Sequence, residues 1–165
     1  MSYDARAARL PVQALFDLRG DPVALVAWGG AVLPALPDVP NSRTCAEDVM
    51  LCHLGPRRWL LRAPPDRESA LTDALRPETA PPEISLVRIS DTLAFFRITG
   101  PEAAEVMAIC CPMDLHPSVF DEAAASHTEA FGLRALVMRC ADGFDLAVEQ
   151  SFGAMLEDCL ARAIG

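Results

Sequence analysis

Short strand-like runs that end at Gly and Pro turn signals constrain this fold more than any other sequence feature. Gly55-Pro56 and Asp142-Gly143 each stand between two such runs. Gly and Pro supply the backbone angles that tight turns need, and Asp-Gly is a strong signal for a two-residue hairpin. The spacing of these signals therefore predicts a chain dominated by antiparallel strands.

Strands are predicted wherever β-branched, aromatic and other apolar residues fill a short run between turn signals. The run 84–89 is expected to pair with the next run along the chain, and residues 19–21 form the turn between the first two strands. The predicted strands are residues 12–18, 22–28, 48–54, 57–62, 84–89, 92–98, 126–131, 133–139 and 143–149.

Three other segments carry apolar residues at helical spacing. They begin near Pro64, at Gly100-Pro101 and at Ser151, which is expected to cap the last helix. Their apolar faces are Leu71 and Leu75 in the first, Ala103, Val106, Met107 and Cys110 in the second, and Phe152, Met155, Leu156, Cys159 and Leu160 in the third.

Runs of antiparallel strands with few helices predict an α+β fold. We expect two layers, with mostly antiparallel sheets and helices packed on one face. Residues 1–165 are interpreted as a single domain, with the alternative of two packed halves divided near 77–83. Pro77, Pro81 and Pro82 interrupt the pattern there.

The charged residues exclude several classes of function. Net charge is −9, and all 14 basic residues are Arg. The absence of Lys excludes a Schiff base or a P-loop lysine. Acidic balance argues against nucleic-acid binding, which needs clustered positive charge. We therefore expect a protein that binds neither a nucleotide through a P-loop nor a nucleic acid.

Apolar content is high for a chain that works alone. Hydrophobic residues make up 52% of the sequence, and mean hydropathy is +0.22. Surplus apolar surface often forms an interface, so partners, or self-association of the isolated chain, are expected. No run approaches the roughly 20 apolar residues that span a bilayer. We expect a cytoplasmic protein without membrane contact.

Cysteine and histidine do not form a metal pattern. The six cysteines include no Cys-x-x-Cys spacing, and only three histidines are present. A zinc site needs four such ligands at short spacings. We expect the cysteines to act as small buried hydrophobes and no metal to bind.

Four residues are candidates for a ligand site or an interface. Asp91 follows a strand and can hold an amine or a pterin ring, or it can serve only the turn. Asp114 and His116 can form an acid–base pair, although residues two apart in a turn tend to point in opposite directions. Trp59 can present an aromatic face, or it can pack inward with its hairpin.

Four motifs occur in an order that resembles a known family. They are Leu-Gly-Pro-Arg-Arg-Trp-Leu-Leu at 54–61, the Ile-Ser-Asp to Gly-Pro segment at 89–101, Asp-Leu-His-Pro-Ser-Val-Phe at 114–120, and Ser151-Phe152. This order resembles the gamma subunits of heterotetrameric sarcosine oxidase, which are related to the folate-binding domain of aminomethyltransferases. The sequence departs from that pattern at 121–125 and at Gln150.

The resemblance implies a role in a bacterial oxidoreductase complex of one-carbon metabolism. Such enzymes oxidise sarcosine and pass the one-carbon unit to tetrahydrofolate. FAD, FMN and NAD are implied only in the larger flavoprotein subunits, and this chain is expected to bind no cofactor by itself. It then serves as a structural, non-catalytic subunit. The alternatives are a stand-alone protein that binds tetrahydrofolate or transfers an aminomethyl group, and a plain interaction domain.

Overall fold

The computed structural model describes residues 2–165, which divide into two compact units. Unit 1 combines the N-terminal segment through Pro11 with Thr92–Gly165, and unit 2 is Val12–Asp91. Each unit contains one five-stranded, fully antiparallel sheet and two α-helices. The α+β class and the two-layer arrangement predicted from the sequence are confirmed.

The elements are as follows in chain order. The strands are β1 (Arg6–Arg9), β2 (Ala14–Gly20), β3 (Arg43–Ala46), β4 (Val49–Gly55), β5 (Arg58–Ala63), β6 (Ile84–Arg88), β7 (Leu93–Thr99), β8 (Ala125–Ala130), β9 (Leu133–Cys140) and β10 (Gly143–Glu149). The helices are α1 (Pro22–Gly29), α2 (Glu68–Leu75), α3 (Ala103–Cys110) and α4 (Gly153–Ile164).

In unit 2 the sheet order is β3-β4-β5-β2-β6. Alternate residues of its strands pack with both helices, because successive side chains on a strand point to opposite faces. The core consists of Ala14, Phe16, Leu18, Leu25, Leu33, Val49, Leu51, Trp59, Leu61, Ala63, Leu71, Leu75 and Ile84. The predicted hairpin at 48–62 and the apolar face of the helix near 64–76 are confirmed.

The segment 22–28 is a helix, so the strand predicted there is wrong. The Asp21 side chain accepts hydrogen bonds from the backbone N–H groups of Val23 and Ala24, both at 3.1 Å. Pro22 occupies the first helical turn, where its missing N–H costs nothing. Asp21-Pro22 is a signal for the start of a helix, and this signal outweighs the strand preference of the β-branched residues within 22–28.

In unit 1 the sheet order is β1-β7-β10-β9-β8. Its helix-facing side carries the alternate residues of β7 and β10, which pack with α3 and α4. The core is Ala94, Phe96, Ile98, Ala103, Val106, Met107, Cys110, Cys111, Phe120, Ala124, Ala130, Ala135, Val137, Phe144, Leu146, Val148, Leu156 and Leu160. The three predicted strands at 126–149 and the apolar face of α3 are confirmed.

The predicted pairing of 84–89 with 92–98 is wrong. β6 pairs with β2 in unit 2, whereas β7 pairs with β1 and β10 in unit 1. The division between the units therefore falls at Asp91 and Thr92, after β6 has completed its sheet. The proline-rich segment 77–83, where the sequence placed the boundary of two halves, lies inside unit 2. Whether residues 1–165 act as a single domain stays a prediction.

Helix α4 begins later than expected and buries fewer residues. A 3-10 turn covers Gln150–Phe152, and no side chain caps the helix, so the predicted Ser151 cap is wrong. Leu156 and Leu160 are fully buried, but Phe152 is 41% and Met155 49% exposed. The helix thus buries a narrower stripe than the spacing of its apolar residues predicted.

The hairpin from β9 to β10 depends on Gly143, as its Asp-Gly signal indicates. Gly143 has a φ of 155°, which L side chains rarely adopt. A Cβ placed there would lie 2.0 Å from the carbonyl oxygen of Ile98 on the neighbouring strand. Only glycine therefore allows β10 to pair with β7 at this position.

Candidate functional site

Trp59 lies in the core of unit 2 and does not face solvent. It is 4% exposed and sits opposite Leu18 and His53 in the two flanking strands. The rings of His53 and Trp59 stack, with centroids 5.7 Å apart and planes inclined by 20°. Its indole Nε1 is buried without a hydrogen-bond partner among residues 2–165. The hairpin therefore packs this ring inward, as the simpler interpretation predicted.

Asp91 lies in the exposed turn after β6, beside a tightly bonded serine. The Leu15 backbone N–H donates to Ser90 Oγ at 3.1 Å, and that hydroxyl donates to the carboxylate of Glu68. Arg88 Nη1 also donates to Glu68, at 2.9 Å. The polar groups around Asp91 thus join the edge strand to α2, while the Asp91 carboxylate faces solvent.

Asp114 and His116 are joined in a turn by a hydrogen bond from the backbone to a side chain. The backbone N–H of His116 donates to Asp114 Oδ1 at 2.9 Å, and the ring Nδ1 of His116 lies 2.7 Å from Ser118 Oγ. The His116 carbonyl accepts from the N–H groups of Val119 and Phe120, both at 2.9 Å. An aspartate that accepts a backbone N–H two residues ahead is an ordinary turn device.

The four candidates are not gathered into one site. Trp59 and Asp91 belong to unit 2, on strands that flank β2 from opposite sides. Trp59 on β5 pairs with Leu18 of β2. On the other side of β2, Arg88 at the end of β6 pairs with Phe16, and Asp91 lies three residues beyond Arg88. Asp114 and His116 belong to unit 1.

Two buried aspartates are absent from the sequence-based predictions. Asp17 on β2 is 7% exposed and accepts from Arg19 Nη2 at 2.7 Å and from Arg58 Nε at 2.9 Å. Asp145 on β10 is 1% exposed and accepts two hydrogen bonds from Arg97, at 2.7 and 3.0 Å. Each is a lone carboxylate inside an apolar strand, which is the signal that could have identified it.

These ion pairs neutralise buried charge and fix strand register. Arg97 and Asp145 are direct partners across β7 and β10. The hydrogen bond to Asp145 raises the pKa of the Arg97 guanidinium above its already high value. Guanidinium N–H groups occupy oxygens of both carboxylates, which leaves these carboxylates little capacity to bind a substrate.

Two of the buried cysteines, Cys52 and Cys110, are held as thiols. Burial raises the pKa of Cys52 and of Cys110 to about 12 in each case. Because the thiolate is the nucleophile and the metal ligand, neither thiol is poised for chemistry at neutral pH. Cys110 and Cys111 are both buried next to each other at the end of α3, and Cys45 is exposed. Within residues 2–165, no three His, Cys, Asp or Glu side chains group as metal ligands do.

Each unit has a shallow concave region of ligand size. In unit 2, a groove of about 390 Å³ lies between the 3-10 turn Gly30–Val32 and α2. In unit 1, a depression of about 420 Å³ adjoins the β9–β10 turn and the start of α3. None of Trp59, Asp91, Asp114 and His116 lines either one. No helix of the described chain has the length and apolarity of a membrane span.

Comparison with known proteins identifies relatives only in structure. No protein-family model matches the chain, and no curated protein sequence matches it. A chain in the structure of heterotetrameric sarcosine oxidase from Corynebacterium sp. U-96 aligns with a TM-score of 0.81 and 23% identity, covering 98% of this chain and 86% of that one.

Two further structures align with nearly the whole of this chain. Aminomethyltransferase T of the glycine cleavage system from Bartonella henselae aligns with a TM-score of 0.72 and 17% identity, over 96% of this chain and 46% of that one. The regulatory subunit of aspartate kinase from Thermus thermophilus aligns at 0.54 and 12% identity, over 97% and 98% of the two chains. This chain spans less than half the length of the aminomethyltransferase. It has the fold shared by these sarcosine oxidase and aminomethyltransferase chains.

Proposed function

We propose that this chain is a small, gamma-type subunit of a heterotetrameric sarcosine oxidase-like flavoenzyme. The observation that carries the proposal is the fold match to the chain of a heterotetrameric sarcosine oxidase. It extends over 98% of this chain and 86% of the other, so the two are of comparable length. The four motifs at 54–61, 89–101, 114–120 and 151–152 support the same assignment.

Within that complex the chain has a structural role. Asp114 and His116 are engaged in a turn, and the buried carboxylates of Asp17 and Asp145 are held by arginines. The chemistry, which is oxidation of sarcosine and transfer of its one-carbon unit to tetrahydrofolate, then belongs to the larger flavoprotein subunits. Those subunits would hold FAD, FMN and NAD. This chain would contribute packing surface and no cofactor ligand.

A second candidate is a stand-alone protein that binds tetrahydrofolate or transfers an aminomethyl group. The fold match to an aminomethyltransferase favours it, at a TM-score of 0.72. The match covers only 46% of that enzyme, and Trp59, Asp91, Asp114 and His116 line neither of the two concave regions described above. The subunit role therefore fits better.

Spectroscopy and turnover separate the two candidates. The purified chain should be colourless and should neither oxidise sarcosine nor retain tetrahydrofolate. Peroxide release should require the larger flavoprotein subunits encoded in the same genome. This activity should persist over time only when this chain is added. A flavin absorption band near stoichiometric amounts in the isolated chain would contradict the structural role.

A further inference from the structure

Unit 2 displays a helix without a polar face. Residues 22–37 contain no charged side chain, and their only polar group is the indole N–H of Trp28. Helix α1 lies in this stretch and buries only Leu25 and Gly29. A helix that is apolar all round normally lies inside a protein or a complex, and a surface helix normally has one polar face. In α1 the solvent face is as apolar as the core face.

The exposed side of α1 is a stripe with helix-packing spacing. Val23 is 76% and Val26 is 55% exposed, and Ala27 and Gly30 are also exposed. Positions i, i+3 and i+4 lie on one side of a helix, so Val23, Val26 and Ala27 form a continuous strip on α1, and Gly30 follows just past the end of the helix. The methyl group of Ala27 and the lack of a side chain at Gly30 allow a partner's backbone to approach closely. We name these four residues the α1 stripe.

The groove of unit 2 continues the same surface. It is lined by Ala31 and Val32, which follow the α1 stripe directly, and by exposed Ala70 and Ala74 on α2. Arg67 lies at its rim. Arg67 is ion-paired within the chain: its Nε lies 3.6 Å from Asp48 Oδ1 and its Nη2 lies 4.0 Å from Oε2 of Glu47, which also lines the groove.

From these features we infer that the α1 stripe and the adjoining groove form the surface on which a larger, non-identical subunit docks. The partner would lay an apolar helix along the stripe and place an apolar side chain in the groove. A large partner can also reach the surface around this patch. This inference rests on the proposed function, and it names the contact surface that the proposed subunit uses.

Charge argues against a second copy of this chain as the occupant. Two copies would bring together chains that each carry a net charge of −9. Like charge on both partners opposes association. A larger subunit with a neutral or basic rim avoids this cost. A stable interface engages about 20–30 residues on each side, so the occupant must also contact the surface around the stripe and groove.

The test uses two independent variants of the full chain and the larger flavoprotein subunits from the same genome. V23D/V26D places two carboxylates in the stripe, and Ala74→Trp fills the groove without adding charge. Ile109→Asp is the matched control, because Ile109 is 50% exposed and lies on α3 in unit 1. Each variant is first checked by thermal melting, and its affinity for the subunits is then measured by titration.

Both test variants should melt like the wild type and bind the flavoprotein subunits at least tenfold more weakly, as expected when a central apolar contact is lost. Ile109→Asp should bind normally. If V23D/V26D unfolds, the affinity of the Ala74→Trp variant by itself tests the inference. Wild-type affinity in a folded test variant overturns the inference and leaves the proposed function standing. A wild-type chain that ignores the subunits overturns both, and a self-dimer that V23D/V26D abolishes makes the stripe a homotypic interface.

Discussion

Replacing Leu156 with alanine tests whether α4 seals the core of unit 1. Leu156 is fully buried, in one cluster with residues of α3, β7 and β10. Leu→Ala at a buried site removes the transfer free energy of the lost atoms and leaves a cavity, which together cost about 2–5 kcal/mol. Alanine is at least as good a helix former as leucine, so helix propensity does not add to this cost. We expect a loss of about 3 kcal/mol.

The neighbouring residue supplies the control. Met155 is on the same helix but is 49% exposed, so Met155→Ala should cost less than about 1 kcal/mol. In a chain of 165 residues, each kcal/mol lowers Tm by about 2–4 °C. Leu156→Ala should therefore lower Tm by about 6–12 °C, and urea titration should give the same free energy. Equal, small shifts for the two variants would refute this account of the core.

Three further predictions concern charge, protonation and the turn after α3. Arg97→Met should lower the free energy of unfolding by about 3 kcal/mol in urea titration, because buried Asp145 then loses its guanidinium partner; an unchanged urea midpoint would contradict this. The pKa of Cys52 and of Cys110 rises to about 12 from an ordinary 9.0, so both folded thiols keep protons that the unfolded chain releases above pH 9. Stability should be fully present below pH 9 and should fall by about 1.4 kcal/mol per pH unit for each thiol between pH 9 and 12. The chain has no Lys, so urea titrations under reductant should show this slope, and Cys52→Ala should roughly halve it. Asp114→Ala should reduce assembly with the flavoprotein subunits but not turnover per assembled particle, whereas Asp114→Asn keeps the acceptor oxygen and should assemble better; lost turnover in an intact complex would make Asp114 catalytic.

Most local signals in the sequence predicted local structure correctly, although the predicted Ser151 cap was wrong. The Gly55-Pro56 hairpin, the apolar face of α3 and the strands at 126–149 all depend on residues close together in the chain. The Asp114 turn is also local, since the carboxylate bonds a backbone N–H two residues away. Such features need no knowledge of which distant segments meet.

Features that depend on distant pairing were mispredicted or missed. β6 and β7 are adjacent in the chain but join different sheets, because the N-terminal strands β2 and β1 pair with them. The Arg97–Asp145 and Arg58–Asp17 pairs span 48 and 41 positions, so they become visible only once strand register is known.

The error in α1 has a different cause. A seven-residue apolar run fits a buried strand or a buried helix equally well, and periodicity cannot separate them. The Asp21 cap and Pro22 in the first helical turn make this run a helix. The absence of a polar face, which made the run resemble a strand, is the same property that leaves the α1 stripe exposed.

The mass of the complex formed on co-expression tests the central claim most directly. The chain would be co-expressed with the larger flavoprotein subunits of the same genome and analysed by gel filtration with light scattering in moderate salt. We expect a yellow complex that contains this chain in fixed stoichiometry and survives salt, since apolar contacts are not screened. A chain that elutes as a monomer apart from those subunits, and binds tetrahydrofolate at micromolar affinity, would contradict the subunit role and establish the stand-alone folate protein instead.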